Sequence, residues 1–202
     1  MIVKEKLIEK FISGKTVLDI GCANYGNPFM YDFIKRTAKS VEGIDNDRKT
    51  VEALVKKGYN IKVADAQNFT LGKKFDVILC ADIVEHLSCF SGFFNSCKKH
   101  LNRDGTLLIF TPNAYAFNGF ATILFKGKYK IHEEHTCIFD ESTIKELLSR
   151  HNFEATEIIH FVETDFVEKK LSKILLNINK VAEKFRKNLS TKMLIVAKIK
   201  TD

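Results

Sequence analysis

The run Thr16-Val-Leu-Asp-Ile20 is apolar apart from one carboxylate, and it stops at Gly21. A buried strand that ends on glycine and turns into a helix puts backbone N–H groups at its carboxyl end, where an anionic or polar ligand can meet them. Asp19 lies inside the apolar run, where an unpaired carboxylate is costly. A cationic ligand amine or nearby N–H groups would hold it.

The chain after this point alternates between strand and helix signals. Ahead of it, residues 1–13 carry Ile2, Val3, Leu7, Ile8, Phe11 and Ile12 at helical spacing, which predicts a leading helix that covers the sheet. Pro28 opens a helix with Phe29, Phe33 and Ile34 on its apolar face. Residues 40–45 read as a second strand ending in Asp45, 47–57 as a helix capped by Asp47 and closed by Gly58, and 59–65 as a third strand ending in Asp65. Residues 75–81 form a nearly continuous apolar run, as in parallel strands buried on both faces. A helix over 90–101, a turn at 102–105 and a fifth strand over 106–111 follow. Residues 114–137 read as an irregular, aromatic-rich insertion, and a capped helix starts at Asp140. Residues 153–163 and 192–200 alternate as strands, the last expected to be antiparallel. The predicted fold is α/β, a doubly wound, mostly parallel sheet with helices on both faces, in one domain over 1–202.

With 202 residues and 45% hydrophobic content, one well-buried core is the expectation. The net charge of +7 favours anionic neighbours, but lysines scattered along the chain select none in particular. Five cysteines without paired metal-ligand spacing suit a reducing compartment, and there is neither a signal-peptide pattern nor an apolar stretch long enough to span a membrane. A soluble, cytoplasmic protein is expected. Residues 167–189 space Val167, Leu171, Ile174, Ile178, Val181 and Phe185 as a basic amphipathic helix. Such a helix suits a membrane surface, RNA, a homodimer contact, or packing on its own protein.

The segment Val17-Leu-Asp-Ile-Gly-Cys22 resembles the first motif of the class I S-adenosylmethionine-dependent methyltransferases. Ala23 and Tyr25 stand where that family usually has glycine, and Gly26 comes late, as if the turn held an extra residue. Phe75-Asp-Val-Ile-Leu-Cys-Ala-Asp-Ile-Val-Glu-His-Leu87 resembles the fourth-strand segment of the type 11/23 and ubiquinone-biosynthesis O-methyltransferase branch. Leu101-Asn-Arg-Asp-Gly-Thr-Leu-Leu-Ile-Phe-Thr-Pro-Asn113 is similar to the same branch's fifth-strand segment. With His135, Phe139 and Asn152-Phe153 the likeness runs in family order over most of 16–153. It implies a Rossmann-like sheet, S-adenosylmethionine as cofactor and S-adenosylhomocysteine as product. It also implies cofactor contacts at Asp19, Gly21, Cys22, Ala23, Asp45, Asn46, Asp65, Ala66, Ala81 and Asp82, with Asp45 on the ribose and Asp65-Ala66 at the adenine edge.

Methyl transfer from a sulfonium asks the protein to align the acceptor and, for a hydroxyl, to remove a proton. His86 and His135 are the candidate bases; a loop-holding role for His86 and surface positions for His132 and His135 are the structural alternatives. Asp82, Glu85 and His86 combine oxygen and nitrogen donors, and the resemblance associates magnesium with these positions in some quinol O-methylases. Three ligands crowded into five residues are weak evidence for a metal, and a helix N-terminal cap is the expected use of the acids. Tyr115, Phe117, Phe120, Phe125 and Tyr129 offer walls for an apolar or ring-bearing acceptor, or simple packing of the insertion. The expected function is methylation of a small molecule, with hydroxyl oxygen favoured by the resemblance. A nucleic-acid methyltransferase, a nicotinamide-dependent oxidoreductase and a non-catalytic cofactor-binding protein are the alternatives.

Overall fold

Among the described residues, seven strands carry the architecture: β1 (Thr16–Ile20), β2 (Ser40–Asp45), β3 (Ile61–Val63), β4 (Phe75–Ala81), β5 (Leu101–Pro112), β6 (Phe153–Phe161) and β7 (Lys192–Ile199). The computed structural model describes residues 3–127, 132–163, 180–181 and 183–200. The strands form one sheet in the order β3-β2-β1-β4-β5-β7-β6. Central β1 pairs in parallel with β2 and β4, β4 pairs in parallel with β5, and β7 runs antiparallel to both β5 and β6. The chain winds outward from β1 to β3, then returns to β4 on the other side of β1. That reversal opens a crevice above the carboxyl ends of β1 and β4.

Among the described residues the sheet is flanked by α1 (Val3–Ile12), α2 (Phe29–Thr37), α3 (Arg48–Lys56), α4 (Phe90–His100), α5 (Phe117–Lys126) and α6 (Glu141–Arg150). The two-residue period of the strands divides the core. Leu107 and Ile109 of β5 and Met193 and Ile195 of β7 pack under α4 and α6, against Phe93, Phe94, Ile144 and Leu148. Leu108, Phe110, Leu194 and Val196 point the other way, toward Ile8 and Ile12 of α1 and Phe33 and Ile34 of α2. Sheet and helices thus follow the expected doubly wound plan. Asp47 caps α3 by accepting the Thr50 amide, and Asp140 with Thr143 makes a reciprocal capping box on α6.

Several local expectations are corrected. Residues 102–105 are not a separate turn. They lie within β5 as an irregularity, because the pairing with β4 jumps from Phe75↔Leu101 to Val77↔Thr106. The insertion over 114–137 contains a regular helix, α5, closed by Gly127 in the left-handed conformation at φ 67°. The third strand is only Ile61–Val63, since its outer neighbour is solvent and only Ile61 of the three is buried. Most of the amphipathic segment 167–189 lies outside the described residues, including 167–179 and 182.

Candidate functional site

The carboxyl ends of β1, β2, β3 and β4 surround a hollow of about 620 Å³. All ten expected cofactor contacts line it, as do His86 and His135. Asp19 in β1, Asp45 at the end of β2 and Asp65 just beyond β3 therefore share one space.

The turn after β1 is built differently from the sequence expectation. Gly21 has φ 75°, and a β-carbon there would lie 2.2 Å from Cδ1 of Ile83, so only glycine fits. The amides expected to face a ligand are spent inside the protein. Gly21 N and Cys22 N donate to the Ile44 carbonyl at 2.8 and 3.3 Å, and Ala23 N donates to Oδ2 of Asp45 at 2.9 Å. Oδ1 of Asp45 accepts the Asp47 amide at 3.0 Å. Asp45 thereby ties the β1 turn to the start of α3, and its remaining lone pairs are what it can offer a ribose. Asp19 is 2% exposed, and its Oδ2 has no hydrogen-bond partner among the described residues. Burial, reinforced by the nearby Asp45 carboxylate, pushes its pKa up to about 8. A buried acid in this condition is suited to meet a cation.

On the β3 side, Oδ1 of Asp65 accepts the Gln67 amide at 2.8 Å. The Gln67 side chain then holds the approach to α4, its Oε1 accepting the amides of Ser88 at 2.9 Å and Cys89 at 2.6 Å. The helix approaches so closely that a β-carbon on Gly92 would lie 2.3 Å from the Gln67 carbonyl oxygen. The expected helix cap was Asp82 or Glu85. Both are committed elsewhere, and the amides just ahead of α4 are accepted by Gln67 instead.

At the far end, Asp82 sits beyond β4 in the left-handed region at φ 55°. Its carboxylate is gripped by the ammonium groups of Lys4 from α1 and Lys192 from β7. Glu163 closes the ring of four charges, 2.8 Å from Lys4 and 3.7 Å from Lys192. Burial works to raise the Asp82 pKa, but Lys192 and Lys4 overcome it and hold the carboxyl below its usual range. Glu85, 1% exposed, accepts from Thr111 Oγ1 at 3.1 Å through Oε2, while Oε1 has no partner among the described residues. Burial, then the Asp82 charge, pushes its pKa up to about 7.

Three histidines close this end. Nδ1 of His86 lies 3.0 Å from the Glu134 carbonyl oxygen. A carbonyl can only accept, so the proton belongs on Nδ1 and the neutral ring keeps its lone pair on Nε2. His86 and His135 meet edge to face with centroids 4.7 Å apart, and His132 stands 5.3 Å from His135. Burial, then His86 and His132, hold His135 below the ordinary histidine range.

Residues 3–158 match the family model described as a methyltransferase domain. The chain belongs to this family. It is a class I methyltransferase domain, and its methyl donor is S-adenosylmethionine. That assignment sets aside the nicotinamide reading. The domain is similar to a ubiquinone biosynthesis O-methyltransferase of Pelagibacter ubique, at 33% identity over 125 residues, 55% of this chain and 51% of the relative. A tRNA U34 carboxymethyltransferase of Campylobacter lari is 30% identical over 171 residues, 79% of this chain and 56% of the relative. The chain spans about half the length of the curated relatives it matches. Among solved structures, a SAM-dependent methyltransferase from Archaeoglobus fulgidus shares the fold with a TM-score of 0.65 at 18% identity, covering 96% of this chain and 92% of its own.

The residues of the methyltransferase domain fit its cofactor: an unpartnered buried acid and two more strand-tip carboxylates face one hollow of suitable size. For a divalent ion, Glu85, His86 and His135 bring ligand atoms within 4.8 Å of one another, the unpartnered Glu85 Oε1 being buried. Asp82, which the sequence grouped with Glu85 and His86, is instead taken by two lysines. Tyr115, Phe117 and Phe120 of the insertion are exposed and do not line the hollow. The side chain of Phe125 and all of Tyr129 lie outside the described residues. Sequence reasoning missed Lys4, Lys192, Gln67 and Glu163. Only Gln67 carried a local signal, an amide two residues after the acid that ends a strand. Among the described residues no helix is long and apolar enough to cross a membrane, and the five cysteines are free thiols.

Proposed function

We propose that this methyltransferase domain moves the methyl group to a hydroxyl oxygen of a small-molecule acceptor. The observation that carries the reading is His86: its Nδ1 is fixed on the Glu134 carbonyl at 3.0 Å, which leaves Nε2 free to accept a proton. A hydroxyl acceptor needs such a base, because its proton must leave as the oxygen is alkylated. His135, kept neutral by its surroundings, stands beside it as the second base candidate.

When bound, S-adenosylmethionine supplies a methyl group activated by its sulfonium. The chain supplies placement. Asp19 meets the cationic end, Asp45 and Asn46 take the ribose, and Asp65 with Ala66 faces the adenine edge. Gly21, Cys22 and Ala23 shape the floor by close approach rather than by donating hydrogen bonds. Ala81 and Asp82 border the reacting end, where Lys4 and Lys192 fix the Asp82 carboxylate. A divalent ion, if bound, would be held by Glu85, His86 and His135. The whole chain serves as one domain over 1–202 of a cytoplasmic enzyme, with 114–137 on the acceptor side.

A tRNA acceptor is the second reading, favoured by the similarity to the Campylobacter lari relative and by the net charge of +7. Incubation with radiolabelled S-adenosylmethionine and parallel panels of phenolic hydroxyl compounds, amines and bulk tRNA separates the two. Label in the phenolic panel supports the proposal, and label confined to tRNA or amines overturns it.

A further inference from the structure

Tyr25 is the most exposed of the large apolar side chains among the described residues, at 90%, yet it lines the hollow. Its backbone occupies the left-handed region at φ 52°, directly after Asn24 at φ 39° and before Gly26 at φ 91°. A side chain with a β-carbon is disfavoured there, and a ring more so, whereas glycine would sit freely. The turn is nevertheless well fixed: Gly26 N donates to the Ala23 carbonyl at 2.8 Å, Asn27 N to the Asn24 carbonyl at 3.0 Å, and Asn24 Nδ2 to the Asn27 carbonyl at 2.9 Å. The strain is therefore built in, and an almost fully exposed ring returns no packing within the fold to offset it.

The turn leans toward the ribose side of the hollow. A β-carbon on Gly26 would lie 3.9 Å from Thr50 Cγ2, and Thr50 belongs to the first turn of α3, which Asp47 caps. Asp45 binds the same turn through the Ala23 amide. The ring of Tyr25 is thus carried on the edge that borders Asp45, not on the edge that borders Asp82 and the histidines.

We propose that Tyr25 is a cofactor-binding residue whose ring closes by its face over the adenosyl half of the methyl donor. The proposal rests on S-adenosylmethionine being the cofactor, and it places Tyr25 beyond the acids and glycine that make up the rest of the cradle. Aromatic faces cover nucleoside surface effectively and do not need a hydroxyl to do so.

The test uses the full chain and its Tyr25→Gly and Tyr25→Phe variants, titrated calorimetrically with S-adenosylhomocysteine and with methylthioadenosine, which lacks the amino-acid tail. Tyr25→Gly is expected to weaken both ligands about five- to tenfold, with a melting temperature unchanged or raised by up to about 3 °C as the turn relaxes. Tyr25→Phe is expected to stay within about twofold of the unaltered chain for both ligands. Saturating S-adenosylhomocysteine is also expected to slow nitration of Tyr25 by tetranitromethane, read by mass spectrometry. Undiminished affinity in Tyr25→Gly, a loss confined to S-adenosylhomocysteine, an equal loss in Tyr25→Phe, a lowered melting temperature in Tyr25→Gly, or unprotected nitration would each overturn it. An unaltered chain that bound neither ligand would overturn the cofactor assignment and this proposal together; failure confined to the variants or to nitration overturns only the role of Tyr25.

Discussion

His86 and His135 face each other edge to face, ring centroids 4.7 Å apart, with His86 pinned through Nδ1 to the Glu134 carbonyl. One imidazole is thereby oriented, and burial with the neighbouring histidines lowers the pKa of the other. His86→Ala is expected to lower kcat by about 10²-fold or more, with the affinity for S-adenosylhomocysteine little changed. His135→Ala is expected to lower kcat less if His86 is the base and more if the roles are reversed. Steady-state rates paired with calorimetric affinities distinguish loss of a base from loss of the fold.

Asp19 should titrate when the cofactor binds. With its pKa near 8 it is largely protonated in the free protein at neutral pH, and a cationic ligand favours the carboxylate. Binding of S-adenosylhomocysteine at pH 7 is therefore expected to release up to about one proton. Calorimetry in buffers of different ionisation enthalpy measures this release, and Asp19→Asn should abolish most of it.

The same shifts set a direction for stability. The folded pKa of Asp19, about 8, and that of Glu85, about 7, both lie above their ordinary values of 3.8 and 4.5. A raised folded pKa contributes stability that is complete below the ordinary value and is lost as pH rises through the folded one. The free protein should melt at a lower temperature at pH 9 than at pH 6. Glu85→Gln should flatten the part of that dependence that lies below about pH 7.

Asp45→Ala removes the proposed ribose contact and two amide acceptors in one step. Affinity for S-adenosylhomocysteine should fall several fold or more, and the domain should lose about 1–2 kcal/mol because the Ala23 and Asp47 amides lose their partner. Denaturant titration and calorimetry on one preparation report both losses. Unchanged affinity would remove Asp45 from the ribose.

Lys4 and Lys192 should differ from surface lysines. Lys4→Met leaves Asp82 and Glu163 sharing one ammonium at a site where the lysine side chain is 8% exposed. The expected cost is about 1–3 kcal/mol, against about 0–1 kcal/mol for the exposed Lys10–Glu157 pair. Chemical denaturation of the two lysine variants side by side checks the contrast.

The parallel sheet and its strand-tip acids were legible in the sequence because each depends on a short local pattern: an apolar run, a stop, then an acid. Asp45 and Asp65 declared themselves in that way, and Asp19 as the lone charge inside such a run. What was not legible depends on distance along the chain. Lys4 and Lys192 meet Asp82 across 78 and 110 residues, and nothing in either neighbourhood announces a partner. The β1 turn misled for a different reason: a glycine at the end of a strand suggests amides open to a ligand, but Ile44 and Asp45 claim three of them. The helix α5 was hidden because its aromatic composition resembles a loop wall more than an amphipathic stripe.

The ring formed by Lys4, Asp82, Glu163 and Lys192 has a practical corollary for anyone transplanting this donor cradle onto another scaffold. Copying the tips of β1 to β4 would carry over every familiar acid and still import a naked charge at Asp82. The first helix and the final strand, remote as they are in the linear order, would have to travel with the graft as its counterions.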